Sequence, residues 1–245
     1  MPDRLFSDPS LAALYDLFSP SELRSDFDFY LPFVMSARAV LDIGCGTGSL
    51  LRRARASGHA GRLCGLDPAA GMLDQARKRS DIEWLRGDLA SVRFDREFDF
   101  VVMTGHAFQV FVEDSDLQTA LAAIRSALTN EGCFAFETRN PLVREWERWT
   151  PANAIEITDA SGSIVRMARQ VETVEGDLVS FTHTFTSLRS DRPQVSRSTL
   201  RFLGADSLSA FLSEAGLKIE EQYGDWDRQP LTAMSPEIIT FARRS

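Results

Sequence analysis

The stretch VLDIGCGTG, Val40 to Gly48, decides the fold. An apolar run broken only by Asp42 leads into glycines at 44, 46 and 48, and LLRRARAS (50–57) then has helical spacing. The order is strand, glycine turn, helix. Residues without a Cβ adopt unusual backbone angles and let the main chain approach a ligand, while the N-terminus of the next helix offers N–H groups to an anion. The spacing is GxGxG, not the GxGxxG of the dinucleotide fingerprint, with Ser49 after the last glycine.

Working outward, AVLDI (39–43), RLCGLD (62–67), IEWL (82–85), FDFVVM (98–103) and CFAFET (133–138) predict short buried strands. Helical segments separate them. Residues 50–57 stop at Gly58, a second helix opens at Pro68 and runs on through GMLDQARKRS, and 116–128 put Leu117, Leu121, Ile124 and Leu128 on one face. Strands alternating with helices predict a doubly wound α/β core around a parallel sheet.

The pattern changes after Asn140. IVRMARQVETV, LVSFTHTFTSL and SRSTLRFL predict antiparallel strands, with turns at 159–162, 175–177 and 189–194. A helix returns in DSLSAFLSEAG, with Asp206 to cap it and Gly216 to end it, before LKIEEQY (217–223) and EIITFAR (237–243) close as a strand pair. The expected division is a helical leader or lid at 1–37, a core at 38–139 and 206–245, and a β-rich insertion at 140–205 for substrate or dimer contact.

The net charge of −8 argues against partners that demand clustered cations, namely nucleic acid and anionic membrane. The start lacks the basic-then-apolar layout of a signal peptide, and no stretch reaches the roughly 20 apolar residues of a membrane span. Cys45, Cys64 and Cys133 are sparse and odd in number, which predicts neither a disulfide framework nor a metal site and points to the cytoplasm.

In open α/β sheets ligands bind at the carboxyl ends of the strands. Asp67 ends the second strand about 20 residues beyond the glycines, where an acid can accept from ribose hydroxyls. Asp88 follows the third strand and can receive an adenine amino group, with Met72 and Leu89 on either side of the ring.

VLDIGCGTG, GLDPAAGML, GDL and FDFVVMTGHAF, in this order and spacing, resemble the class I S-adenosylmethionine-dependent methyltransferases over about 39–139. The resemblance implies a Rossmann-like seven-stranded sheet with its last strand antiparallel, and S-adenosyl-L-methionine as cofactor. Gly44, Cys45, Gly46 and Gly48 would face its methionine part, Asp67 its ribose, Asp88 and Leu89 its adenine; Asp42, Pro68, Met72 and Tyr15 complete the implied cofactor site. Thr104 to His106 would face the methyl group. The β-rich insertion and the leader with Tyr15 and Asp16 are similar to those of small-molecule enzymes of the sugar N,N-dimethyltransferase and glycine N-methyltransferase types. TGHA after the fourth strand differs from the motif of nucleic-acid adenine methyltransferases, which leaves a small-molecule acceptor.

Methyl transfer needs an in-line nucleophile about 3 Å from the methyl carbon in a pocket closed to water. His106 is the candidate base, with an ordinary pKa of about 6.5 suited to the task; the alternative is a histidine that only shapes the loop. Arg139, Asn140 and Trp146 are candidate acceptor residues. Arg139 can hold an acidic group with its planar fork or pair with Glu137 or Glu145, and Trp146 and Trp149 can equally pack core against insertion. His59 reads as a solvated turn residue. The expected activity is methyl transfer to nitrogen or oxygen, or carbon, of a small molecule, chiefly by proximity and orientation. The alternatives are a nicotinamide-dependent oxidoreductase and a cofactor-binding protein without transferase activity.

Overall fold

The computed structural model describes residues 2–187 and 190–245. Seven strands form the main sheet: β1 (Ala39–Ile43), β2 (Arg62–Asp67), β3 (Glu83–Arg86), β4 (Phe98–Met103), β5 (Leu128–Arg139), β10 (Leu217–Tyr223) and β11 (Glu237–Arg244). Their order is β10-β11-β5-β4-β1-β2-β3, and β11 runs antiparallel to both neighbours. The order reverses at β1, which pairs with β2 on one side and β4 on the other, so the crevice expected for a ligand lies at the carboxyl ends of β1 and β4.

The two faces of the sheet follow the two-residue period of a strand. Leu41, Ile43, Val101, Met103, Phe134 and Phe136 look one way, toward α6 (Asp114–Ala127) and α7 (Ala205–Glu214). Val40, Phe100, Val102, Ala135 and Phe241 look the other way, toward α3 (Ser25–Ser36) and α4 (Ser49–Ala56). Phe136 stacks on Phe108 at 4.1 Å and on Phe134 at 4.9 Å, fully buried. Phe136→Ala should therefore lower the unfolding free energy by about 3–5 kcal/mol, read by denaturant titration.

A second sheet carries β6 (Ile155–Thr158), β7 (Ile164–Glu175), β8 (Leu178–Ser187) and β9 (Ser190–Arg201) in antiparallel sequence order. The leader lies between the sheets. Its helices α1 (Arg4–Ser7) and α2 (Pro9–Phe18) pack Leu5 and Leu11 on Phe185 of β8, and Ala12 on Met72 of α5 (Ala70–Ala76). The Leu5 N–H donates to Ser196 Oγ (2.8 Å), and Thr47 Oγ1 donates to Asp16 Oδ1 (2.6 Å). No helix among the described residues is long and apolar enough to cross a membrane.

Several expectations shift. The helix after β2 starts at Ala70, past Pro68, and ends at Ala76, before the basic run. Gly204 occupies the cap position of α7, which puts Asp206 in the first turn, where it meets the positive end of the helix dipole. Of the turn expected at 189–194, Arg189 lies outside the described residues, and β9 already runs from Ser190 through Pro193. Proline is tolerated there because β9 is an edge strand. His59 is buried, its Nε2 at 2.8 Å from the Ala37 carbonyl, and is not a solvated turn residue.

Candidate active site

Gly44, Gly46 and Gly48 all have positive φ, at 70°, 55° and 76°. Their surroundings differ. A Cβ on Gly48 would stand 2.2 Å from the Trp84 ring, so this glycine makes room for an indole and does not open on the crevice. A Cβ on Gly46 would meet nothing within 4 Å. A Cβ on Gly44 would come within 2.9 Å of the Ala107 Cβ, so the loop after β4 closes directly on the glycine turn. The cleft between them is lined by Asp42, Gly44, Cys45, Gly46 and Thr104, with Tyr15 from the leader.

Asp42 is sealed from solvent, and its Oδ1 has no hydrogen-bond partner. Burial first, then the neighbouring Asp67, push its carboxyl up to about 8. A buried, unpartnered carboxyl oxygen at a cleft is a place for a donor. Asp67 accepts from the N–H groups of Gly46 (2.8 Å) and Ala69 (2.7 Å), which ties the second strand end to the glycine turn, and burial raises its pKa. Asp88 is exposed. Its Oδ1 accepts from Ser91 Oγ (2.7 Å) and from the N–H groups of Ala90 and Ser91, and the Ser91 hydroxyl leads in holding its pKa down. Met72 and Leu89 are buried in separate apolar clusters, and Pro68 is exposed. Burial pushes the Cys45 thiol well above its usual range, which leaves it a packing group.

His106 sits at φ 62° in the loop after β4. Its N–H donates to Glu137 Oε1 (2.9 Å), and its Nε2 lies 2.9 Å from Glu237 Oε2. Glu137 also accepts from the Tyr30 hydroxyl (2.9 Å), so one fully buried carboxyl holds both the loop and α3. Burial raises Glu237 to about 8 and drives the imidazole well below its usual value. The pair therefore keeps one proton between them up to about pH 8. His106 Nδ1 makes no hydrogen bond among the described residues and is not sealed off, so it is the ring nitrogen open to an acceptor.

The three candidate acceptor residues part company. Arg139 leaves the end of β5 and pairs with Glu145 (2.7 Å) and Gln109 Oε1 (2.9 Å); Glu137 is not its partner. Asn140 is consumed by the fold: its Nδ2 donates to the Ser235 and Thr232 carbonyls and its Oδ1 accepts from the Leu142 N–H. Trp146 packs edge-on against Phe202 at 4.5 Å in an apolar cluster, so it belongs to the insertion's own core. Sequence reasoning missed Glu237 and Arg24, and considered Glu137 only as a partner for Arg139. Arg24 lines the cleft, and its guanidinium pairs with Asp26 and lies 4.0 Å from the Phe27 ring centroid. The one available signal was an acid set against an apolar strand run, as in FAFET and EIITF.

Residues 40–132 match the family described as a methyltransferase domain. The chain is 26% identical to a cypemycin N-terminal methyltransferase from a Streptomyces species, over 86% of this chain and 84% of that protein. Among solved structures it resembles the CcbJ methyltransferase from Streptomyces caelestis, with TM-score 0.77 and 19% identity, covering 96% of each chain. It also resembles S-adenosylmethionine-bound CalS10, an amino pentose methyltransferase from Micromonospora echinaspora, with TM-score 0.70 and 20% identity over 95% of this chain and 97% of that one. None of these likenesses supports a nicotinamide-dependent enzyme. Motif order, sheet topology and relatives agree in likening the chain to the class I S-adenosylmethionine-dependent methyltransferases, with a methyltransferase domain matched over residues 40–132.

Proposed function

We infer that this enzyme moves a methyl group to a nitrogen or oxygen of a small molecule, with a neutral amine as the first choice. The observation that carries the reading is the contact between Gly44 and Ala107, which sets the His106–Glu237 pair beside the cofactor cleft. The relative named as an N-terminal methyltransferase supports nitrogen. The three cysteines are unpaired, which supports a reducing cytoplasm.

The residues suit the cofactor. Asp42 Oδ1 can meet its ammonium, the open side of Gly46 leaves room for its amino-acid end, Asp67 can accept from its ribose, and Asp88 has an oxygen left for its adenine. Bound there, the cofactor supplies a methyl group already activated on a sulfonium. The protein's part is to hold the acceptor in line, exclude water and take a proton where the acceptor carries one. His106 Nδ1 can accept that proton while Glu237 orients the ring through Nε2.

Isothermal titration with S-adenosylmethionine and its demethylated product tests the reading; no binding by either in folded protein overturns it. A finer outcome follows from Asp42. It keeps its proton up to about pH 8, and meeting an ammonium requires it to ionise. Binding at pH 7 should thus release close to one proton, measured in buffers of different ionisation heat, and affinity should rise with pH until about 8. Asp42→Asn should abolish the release.

A further inference from the structure

On β7 and β8 the inner face of the smaller sheet is apolar around one polar row. On β7, Met167 and Val171 flank Arg169; on β8, Phe181 and Phe185 flank His183. Arg169 stands directly opposite His183 in the β7–β8 register, and His183 stands opposite Ser196 in the β8–β9 register. A polar row thus crosses the gap between two apolar clusters, one around Trp149 and Phe181 and the other around Leu11 and Phe185.

Two of its three members, His183 and Arg169, are left without their full set of partners. His183 Nδ1 is buried without a partner, its ring 5.2 Å from Phe181 and 6.2 Å from Phe185. Arg169 makes no hydrogen bond or ion pair among the described residues; its guanidinium lies 5.4 Å from the Trp149 ring centroid. The Arg139 guanidinium lies 5.3 Å from that same ring centroid. Two guanidinium groups therefore meet at one indole with one nearby carboxylate among the described residues, Glu145, already paired to Arg139. Burial and the repulsion from Arg139 both lower the pKa of Arg169. Folding alone gives little reason for such a row, since a half-buried cation with no hydrogen bond or ion pair costs stability and apolar residues of like size would improve packing.

We propose that Arg169, His183 and Arg139 form an anion-binding subsite that holds a carboxylate or phosphate group of the methyl acceptor. Arg139 also belongs to the charged surroundings of His106 and Glu237, so an anion held here places the rest of its molecule toward the open Nδ1 of His106. Its role as an acceptor subsite rests on the methyl-transfer reading; its existence as an anion site does not.

The test follows the chain's three histidines, His59, His106 and His183, by NMR in labelled full-length protein, with and without the demethylated cofactor. Sodium acetate and inorganic phosphate are titrated separately at constant ionic strength. Saturable shifts of the His183 signals are expected, with His59 unmoved, and at least tenfold weaker saturation in Arg169→Met. Tighter saturation by acetate assigns a carboxylate; tighter saturation by phosphate assigns a phosphoryl group. Absence of a saturable His183 shift with either anion, or equal saturation in Arg169→Met, overturns the proposal. Arg169→Gln carries the same comparison should the Met variant not fold. Calorimetry with S-adenosylmethionine on the same samples reports separately on the methyltransferase reading.

Discussion

S-adenosylmethionine should fail to bind a Gly46→Arg variant that remains folded, with affinity reduced about 100-fold or more, equivalent to roughly 2.7 kcal/mol. Gly46 points its empty side into the cleft, where no protein atom lies within 4 Å of a Cβ, while its N–H holds Asp67. A long side chain there occupies ligand space without displacing protein. The backbone at φ 55° adds about 1–2 kcal/mol of strain, which a domain of this size survives. Gly48→Ala is the informative contrast. Its Cβ would collide with Trp84 at 2.2 Å, so it should lower the melting temperature first and affect binding only as a consequence. Calorimetry paired with thermal unfolding separates the two. Wild-type affinity in Gly46→Arg would remove the glycine turn from the cofactor site.

His106→Ala should cut turnover by about 100-fold or more, in the range of a positioned base, and leave cofactor affinity within about twofold, because the ring does not line the glycine cleft. The pH dependence sharpens this. The His106–Glu237 pair retains one proton below about pH 8, so it cannot take a second from the acceptor there. Turnover should consequently rise with pH through about 8 and then level. Glu237→Gln removes the ionising partner and should flatten that rise while leaving the fold intact. Equal turnover in His106→Ala would exclude His106 from the chemistry and leave positioning alone.

Buried carboxyls also shape stability. Asp42, Glu137 and Glu237 each have pKa values raised to about 8, chiefly by burial. Between about pH 4 and 8 the native state binds more protons than the unfolded chain, so their contribution to stability falls as pH rises across that window.

Much of the core was legible because its strands are buried on both faces. AVLDI, RLCGLD and FDFVVM coincide with β1, β2 and β4, since parallel strands read as continuous apolar runs cut off by glycine or a charge. The glycine turn was legible for the same local reason, although which glycine opens on the cleft was not: Trp84, 36 positions beyond Gly48, fills the space beside that last glycine. Glu237 was illegible because it looks like an ordinary strand start. Only the antiparallel register of β11 on β5, with Glu237 opposite Arg139, brings it to the end of β4. Arg169 and His183 were illegible likewise, since a cross-strand row exists only once two hairpin registers are set. Asn140 misled in the opposite direction, being polar and well placed in sequence yet fully engaged in holding 232–235.

The leader ties the two sheets to each other. Its Asp16 grips Thr47 beside the glycine turn, while Leu5 grips Ser196 on the smaller sheet. Residues 5–16 thus span from the smaller sheet to the glycine turn of the main sheet, so a shift of this one segment disturbs both places.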